Sequence, residues 1–490
     1  MPLQFPDPTE IKRLADALRA ASYNSQTLKE FMDLGQGANA HFRDAPSLLY
    51  SMHTQPRLRD VCALFQFQLP LSEEAAADAL APANLSALVS AGLLAIHNSS
   101  VTARFRIVPC LDTLVVCDLK PIGQALSDDF VMGASASSSV VLNSTIRKHS
   151  GRTLDLCSGS GIQAMVAATH SDAIVAVEQN WRAIQLGEFS ALLNGRTNVE
   201  FRESDFYSAV EGEHFDLIVA NPPFVISPGR EFQFRDGGLG ADRVTAHVVR
   251  NAPRFLAEGG MFLTLCDVAN FTGTSFEQHV SEWAAGSGCD MAVVRGVSAP
   301  MREYPIGWLY DESQHDPAAY LAKFRTWVEY YQREGIESMT ACVIVLRRRT
   351  SPSNWFHATP EVVDLIRLTG DEVARIFAAV DFLHANPSNA DLLSQCLILN
   401  EKVRFDQRLV RDGEAWGLRE CALALSDEHA KPVPTDPYMG SICSRLNGLT
   451  PLGEIINQMA AALRTSADGL AAQIVPVIRG LIERGYVDWK

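Results

Sequence analysis

The sequence reads as an α/β protein, with a seven-stranded, largely parallel sheet and its crossover helices set between two mainly helical flanking modules. Three observations carry that reading. Between about Ser150 and Thr350, short β-branched runs alternate with helical stretches, the pattern of a parallel sheet. On either side of this region, apolar residues recur at helical spacing. At 490 residues the chain is too long for one ordinary core, and about 150 residues per domain suggests roughly three units. The expected boundaries are an N-terminal module at 1–120, the sheet domain at 121–350 with an insert at 298–339, and a C-terminal module at 351–490.

In the first module, EIKRLADALRAA and QTLKEFMDLG read as two short helices, and SEEAAADALAPANLSALVSAGLLAI as two more ending at Gly92. VTARFRIVPCLDTLVVCDL then reads as a β-hairpin. Helices followed by a hairpin suggest a winged-helix-like module, read as a packing or substrate-positioning domain in preference to a DNA reader. The seven expected strands of the second domain are TLDLCS, AIVAVEQ, VEFRES, FDLIVANPP, GMFLTLCDV, MAVVRGV and TACVIVLRR. The insert has no apolar run typical of a strand but holds Tyr304, Trp308, Tyr310, Tyr320, Trp327, Tyr330 and Tyr331. It is either a functional lid or a packing arm. After Pro352 helical spacing returns, and the last helix followed by Gly485-Tyr486-Val487 suggests a second winged-helix-like module.

Composition narrows the function classes. Hydrophobic residues at 47% and charged residues at 20% fit a globular chain. No apolar run approaches the ~18 residues of a membrane span, and MPLQFPDPTEIKR lacks an apolar signal core, so no membrane partner and a cytoplasmic location are expected. Ten cysteines from Cys62 to Cys443 include no C-x-x-C pair, so no metal site is expected. The net charge of −15 opposes nonspecific attraction to polyphosphate. Arg347-Arg348-Arg349 hints at a local basic patch but fits a solvated strand end better.

The first strand runs into Cys157-Ser158-Gly159-Ser160-Gly161 and then a helix, placing a glycine turn at the carboxyl edge of the sheet, where backbone can approach a ligand. The second strand ends in Glu178, suited to accept from both hydroxyls of a ribose, followed by Gln179. The third ends at Asp205-Phe206, where Asp205 can accept an adenine amino group and Phe206 donate its backbone N–H. Asp155 precedes the turn, and a carboxylate there suits the cationic S-adenosylmethionine better than a pyrophosphate. The expected cofactor set is therefore Asp155, Cys157, Gly159, Gly161, Glu178, Gln179, Asp205, Phe206 and Asn221, with S-adenosylmethionine as the ligand.

Asn221-Pro222-Pro223-Phe224 follows the fourth strand, at the same sheet edge. The Asn221 side-chain carbonyl and the Pro222 backbone carbonyl can accept the two N–H bonds of an NH2 group, and Phe224 can stack on the flat group that bears it. Asn221, Pro222 and Phe224 are the expected catalytic residues. His247 reads as a helix-face residue, and Asp267 as either a substrate contact or a turn cap.

With these motifs in place, residues from about Asp129 to Thr350 resemble the class I S-adenosylmethionine-dependent methyltransferases, whose Rossmann-like sheet has seven strands. The N-P-P-F loop resembles that of the amino-methylating branch, which includes release-factor glutamine methyltransferases and ribosomal RNA guanine methyltransferases. The segment Arg235-Asp236-Gly237-Gly238-Leu239-Gly240-Ala241-Asp242 is similar to the glycine-rich stretch that follows this loop in the glutamine-modifying members, though imperfectly. The resemblance implies N-methylation of a planar nitrogen. A protein or peptide amide is the favoured acceptor, an exocyclic base amine in RNA or a small metabolite the alternative, and a nonenzymatic binding scaffold the third reading.

Overall fold

Continuous Val, Ile and Leu runs such as Leu217–Ala220 are shielded on both faces, and that burial is what makes them central strands. The computed structural model describes residues 7–32, 44–119, 127–229, 235–236, 239–310, 313, 316–351, 353–360, 362–413, 415–426 and 432–490. Its main sheet contains β1 (Ser150–Leu156), β2 (Ser171–Glu178), β3 (Val199–Glu203), β4 (Phe215–Ala220), β5 (Leu256–Phe271), β6 (Cys289–Pro300), β7 (Ile336–Arg348) and β8 (Phe356–Ala358). The strand order is β8-β6-β7-β5-β4-β1-β2-β3. The pairs β1–β2, β2–β3, β1–β4 and β4–β5 are parallel, whereas β5–β7 is antiparallel. The sheet is thus mixed and has eight strands where seven are expected. The additional β8 is three residues long, too short to carry a periodic signal in the sequence.

Helices α1 (Ile162–Ala167), α2 (Trp181–Leu193) and α3 (Arg243–Asn251) follow β1, β2 and β4. The insert is largely helical: α4 (Tyr304–Trp308) and α5 (Pro317–Glu334) fill most of it. Asp316 caps α5 by accepting from the Ala318 and Ala319 N–H groups, and Gly335 ends it at φ +71° in the left-handed region.

In the first module, helices Pro8–Ala20, Ser25–Met32, Glu73–Leu80 and Leu85–Ser90 form where helical spacing places them. The expected hairpin forms by pairing Phe105–Cys110 with Thr113–Asp118, while the start of that stretch belongs to a preceding hairpin that pairs Leu94–His97 with Ser100–Ala103. Asn98 and Ser99, both at positive φ, supply the two-residue turn of that preceding hairpin. Leu14, Leu18, Phe65 and Val101 of this module share one hydrophobic cluster with Ala183, Leu186, Phe189 and Leu193 of α2.

The chain divides into two compact units, and the second is assembled from 143–146, 292–297 and 357–490. Within it, helices Gly370–Ala385, Leu452–Leu463 and Ala467–Glu483 meet the helical expectation, and Val487–Trp489 pairs with Leu397–Leu399. A three-stranded antiparallel sheet, Val403–Asp412, Ala415–Leu425 and Val433–Thr435, is additional to it. Arginines and carboxylates interrupt the apolar alternation of its first two strands, which hides it from a reading by period. Among the described residues, no helix is long and apolar enough to cross a membrane, and no cluster of three or more His, Cys, Asp or Glu could hold a metal ion.

Candidate active site

β1 hands the chain to its glycine turn through backbone that only a few residues tolerate. Gly159 and Gly161 have φ of +55° and +79°. A Cβ on Gly161 would stand 2.8 Å from Phe201 Cζ, so packing as well as conformation requires glycine there. Around Gly159 a Cβ would meet nothing within 4 Å, because that residue opens onto a cavity. Its N–H donates to Glu178 Oε2 at 2.8 Å, while Glu178 Oε1 accepts from the Gln179 and Asn180 N–H groups at 2.9 Å. Burial raises the Glu178 pKa, and these three hydrogen bonds only partly offset it.

The cavity is about 550 Å³, within the range of small-molecule sites. Cys157, Gly159, Glu178, Gln179, Asp205 and Phe206 line it together with Asn221, Pro222 and Phe224. Asp155 and Gly161 do not line it. Asp155 is fully buried, its Oδ2 accepts from the Ala164 N–H at 2.8 Å, and its Oδ1 has no partner. Burial, reinforced by the nearby Glu178 charge, pushes its pKa up to about 7.

At the head of the loop after β4, Asn221 Nδ2 donates to Ser137 Oγ at a long 3.4 Å, and Asn221 Oδ1 is buried with no hydrogen-bond partner. Phe224 pairs across an isolated bridge with Asp236, and the Val225 N–H donates to the Arg235 carbonyl at 3.1 Å. Asp236 is itself fixed, accepting from Ser227 Oγ at 2.8 Å and from Arg235 Nε and Nη2 at 3.0 Å. Gly237 and Gly238 of the glycine-rich segment lie outside the described residues.

Among the cavity residues that were not expected are His247, Trp308 and Leu239. His247 is exposed on α3, as a helix-face residue should be, yet it lines the cavity beside Phe206, with ring centroids 5.1 Å apart. Trp308 and Leu239 also line it. The aromatic richness of the insert and the segment before Asp242 were the available signals, but neither says which side chain turns inward. Asp267 is buried, does not line the cavity, and accepts from the Tyr304 hydroxyl. Arg347 and Arg349 pair with the buried Asp290, and Arg348 donates to the Pro253 carbonyl, so these three guanidinium groups all have protein partners.

A family model described as methyltransferase small domain matches residues 130–280. The chain is 32% identical over 122 residues to a release factor glutamine methyltransferase of Xylella fastidiosa, covering 22% of this chain and 44% of that protein. It is 33% identical over 143 residues to a ribosomal protein uL3 glutamine methyltransferase of Xanthomonas campestris, covering 26% and 44%. The chain thus spans less than half the length of these relatives. Among solved structures, a putative sarcosine dimethylglycine methyltransferase from Galdieria sulphuraria aligns at 14% identity and a TM-score of 0.29, over 42% of this chain and 80% of that one. With its family match, its relatives and its glycine turn in agreement, the chain carries, over residues 130–280, a class I S-adenosylmethionine-dependent methyltransferase domain of the branch that contains the glutamine methyltransferases.

Proposed function

We propose that this protein N-methylates a planar nitrogen, and that its acceptor is a side-chain amide of another protein. The observation that carries the proposal is the unpartnered, buried Asn221 Oδ1 at the head of a proline-stiffened loop. A buried acceptor without a donor is destabilising unless a ligand supplies one, and an amide NH2 supplies two. Asn221 Oδ1 takes one of its N–H bonds and the Pro222 carbonyl the other, which aims the nitrogen lone pair away from both. Phe224 stacks on the flat amide and keeps water from its face. No enzymatic base is required, because the acceptor proton can leave after the new N–C bond has formed.

The residues of the glycine turn fit the methyl donor. Gly159 leaves open space, Glu178 is poised for the ribose hydroxyls, and Asp205 and Phe206 face the same cavity for the adenine. Asp155 sits behind the turn with Oδ1 unpartnered, and its carboxylate, when ionised, would favour a cationic ligand in the cavity. When bound, S-adenosylmethionine supplies an electrophilic methyl group on its sulfonium. The names of the relatives, glutamine methyltransferases of a release factor and of a ribosomal protein, favour a protein acceptor. The winged-helix-like flanks are assigned to holding that protein rather than to chemistry.

A second reading, a small flat amine, is favoured by Trp308 and Phe224 lining one cavity. Tritiated S-adenosylmethionine, offered with cell protein, RNA and metabolite fractions, separates the readings, with Asn221→Ala as control. Label in protein that digestion traces to N-methylglutamine supports the proposal. Label confined to RNA or to small molecules overturns it.

A further inference from the structure

Ile226 lies two residues past Phe224, and both of its backbone groups are held by the insert. Its N–H donates to Tyr304 Oη at 3.2 Å, and its carbonyl accepts from Tyr331 Oη at 2.7 Å. The Tyr304 hydroxyl in turn donates to Asp267 Oδ2 on β5 at 2.5 Å, so the ring is anchored at both ends of a short relay. Next to Tyr331 on α5, Tyr330 Oη accepts from the Ala241 N–H, two residues beyond the cavity-lining Leu239. Trp308, one helical turn from Tyr304 on α4, is half-buried and lines the cavity itself.

Packing alone would need only the rings. Here Tyr304, Tyr330 and Tyr331 each place a hydroxyl on the backbone of a loop beside the cleft. Ile226 is buried, and a shift of its peptide groups would leave buried polar groups unpaired. On the methyl-transfer reading above, we propose that Tyr304 and Tyr331 are positioning residues that lock the acceptor loop, and that Trp308 is the specificity-determining wall of the acceptor cleft. The insert is then neither a bare packing arm nor a mobile lid, because it sets where the Phe224 ring stands.

Amide hydrogen exchange of the full chain, in the absence of any substrate, tests the lock directly. Tyr304→Phe and Tyr331→Phe should each speed exchange at 224–226 by about tenfold or more while leaving β4 protected. Tyr23→Phe is the matched control, since Tyr23 is buried in the N-terminal module and its hydroxyl donates to the Ile107 carbonyl at 2.7 Å. Unchanged exchange at 224–226, or a change that Tyr23→Phe reproduces, overturns the lock. Kinetics on a synthetic peptide with an internal glutamine should show kcat lowered about tenfold in the two tyrosine variants, with S-adenosylhomocysteine affinity within twofold of wild type. Trp308→Ala should instead raise KM at least fivefold at unchanged kcat, and an unchanged KM removes Trp308 from the proposal. Should the wild type fail to methylate that peptide, the glutamine reading falls, while the exchange measurement still decides the lock.

Discussion

Asn221, partly buried, and Asp155, fully buried, each keep one buried side-chain oxygen without a partner, and the two should respond to substitution in opposite ways. Asn221→Ala should lower kcat by about 100-fold or more, on the scale of losing a preorganised polar contact in a transition state, with S-adenosylhomocysteine affinity near wild type. Titration calorimetry beside single-turnover kinetics checks both halves of that expectation. Asp155 has a folded pKa of about 7 against an ordinary 3.8, so folding favours its protonated form. The stability it contributes is therefore fully present below its unfolded pKa and is lost as pH rises through about 7, at about 1.4 kcal/mol per pKa unit. Asp155→Asn should accordingly raise the melting temperature of the ligand-free protein at pH 8 and leave it little changed at pH 4. The ionised carboxylate should also favour the sulfonium of S-adenosylmethionine over the neutral S-adenosylhomocysteine, so the affinity ratio of the two should climb between pH 6 and 8. A ratio that stays flat would remove Asp155 from cofactor recognition.

Strand ends were the most legible level of the site. Glu178 and Asp205 could be placed because each closes a β-branched run, and the register of parallel strands brings such ends to one edge. His247 and Trp308 could not, because helical spacing identifies a face without saying what that face meets. Among the elements, six of the seven anticipated strands were visible through their apolar runs and β3, VEFRE, through its place after a crossover helix, whereas β8 and the sheet at 403–435 lacked the length or the alternation to announce themselves. Two elements carry predictions. Gly161→Ala would place a side chain at φ +79° and press it on Phe201, so a destabilisation of about 1–3 kcal/mol in urea unfolding is expected, together with weaker S-adenosylhomocysteine binding. On β6, Asp290 is drawn upward by burial, but the hydrogen bonds of Arg349, Arg347, the Trp355 N–H and Asn354 outweigh this and hold its pKa below the ordinary value. Its stabilisation is present above the unfolded pKa and lost as pH falls through the depressed one. Asp290→Asn should cost about 3 kcal/mol at pH 7, and the gap from wild type should close in acid.

The whole molecule does not divide where its composition does. The second compact unit recruits 143–146 and 292–297 from within the sequence of the methyltransferase domain, so a fragment ending at residue 356 would leave both segments without their companions. Such a fragment should melt well below the full chain, and equal melting temperatures would contradict this. Composition excluded little at this scale, and the interleaving was invisible because contacts between distant segments leave no local pattern.

The position of β7 between β5 and β6 also sets a schedule. β1 to β4, which carry Gly159, Glu178 and Asp205 at their ends, leave the ribosome before β5 to β7 and can pair at once. β6 must then stand off from β5 until β7 is made, and the segment bearing Tyr304 and Tyr331 is translated in that interval. On the proposed reading, a nascent chain can therefore assemble its donor residues before the tyrosines that hold the acceptor loop are in place, and methyl transfer should begin only once the antiparallel strand has been made.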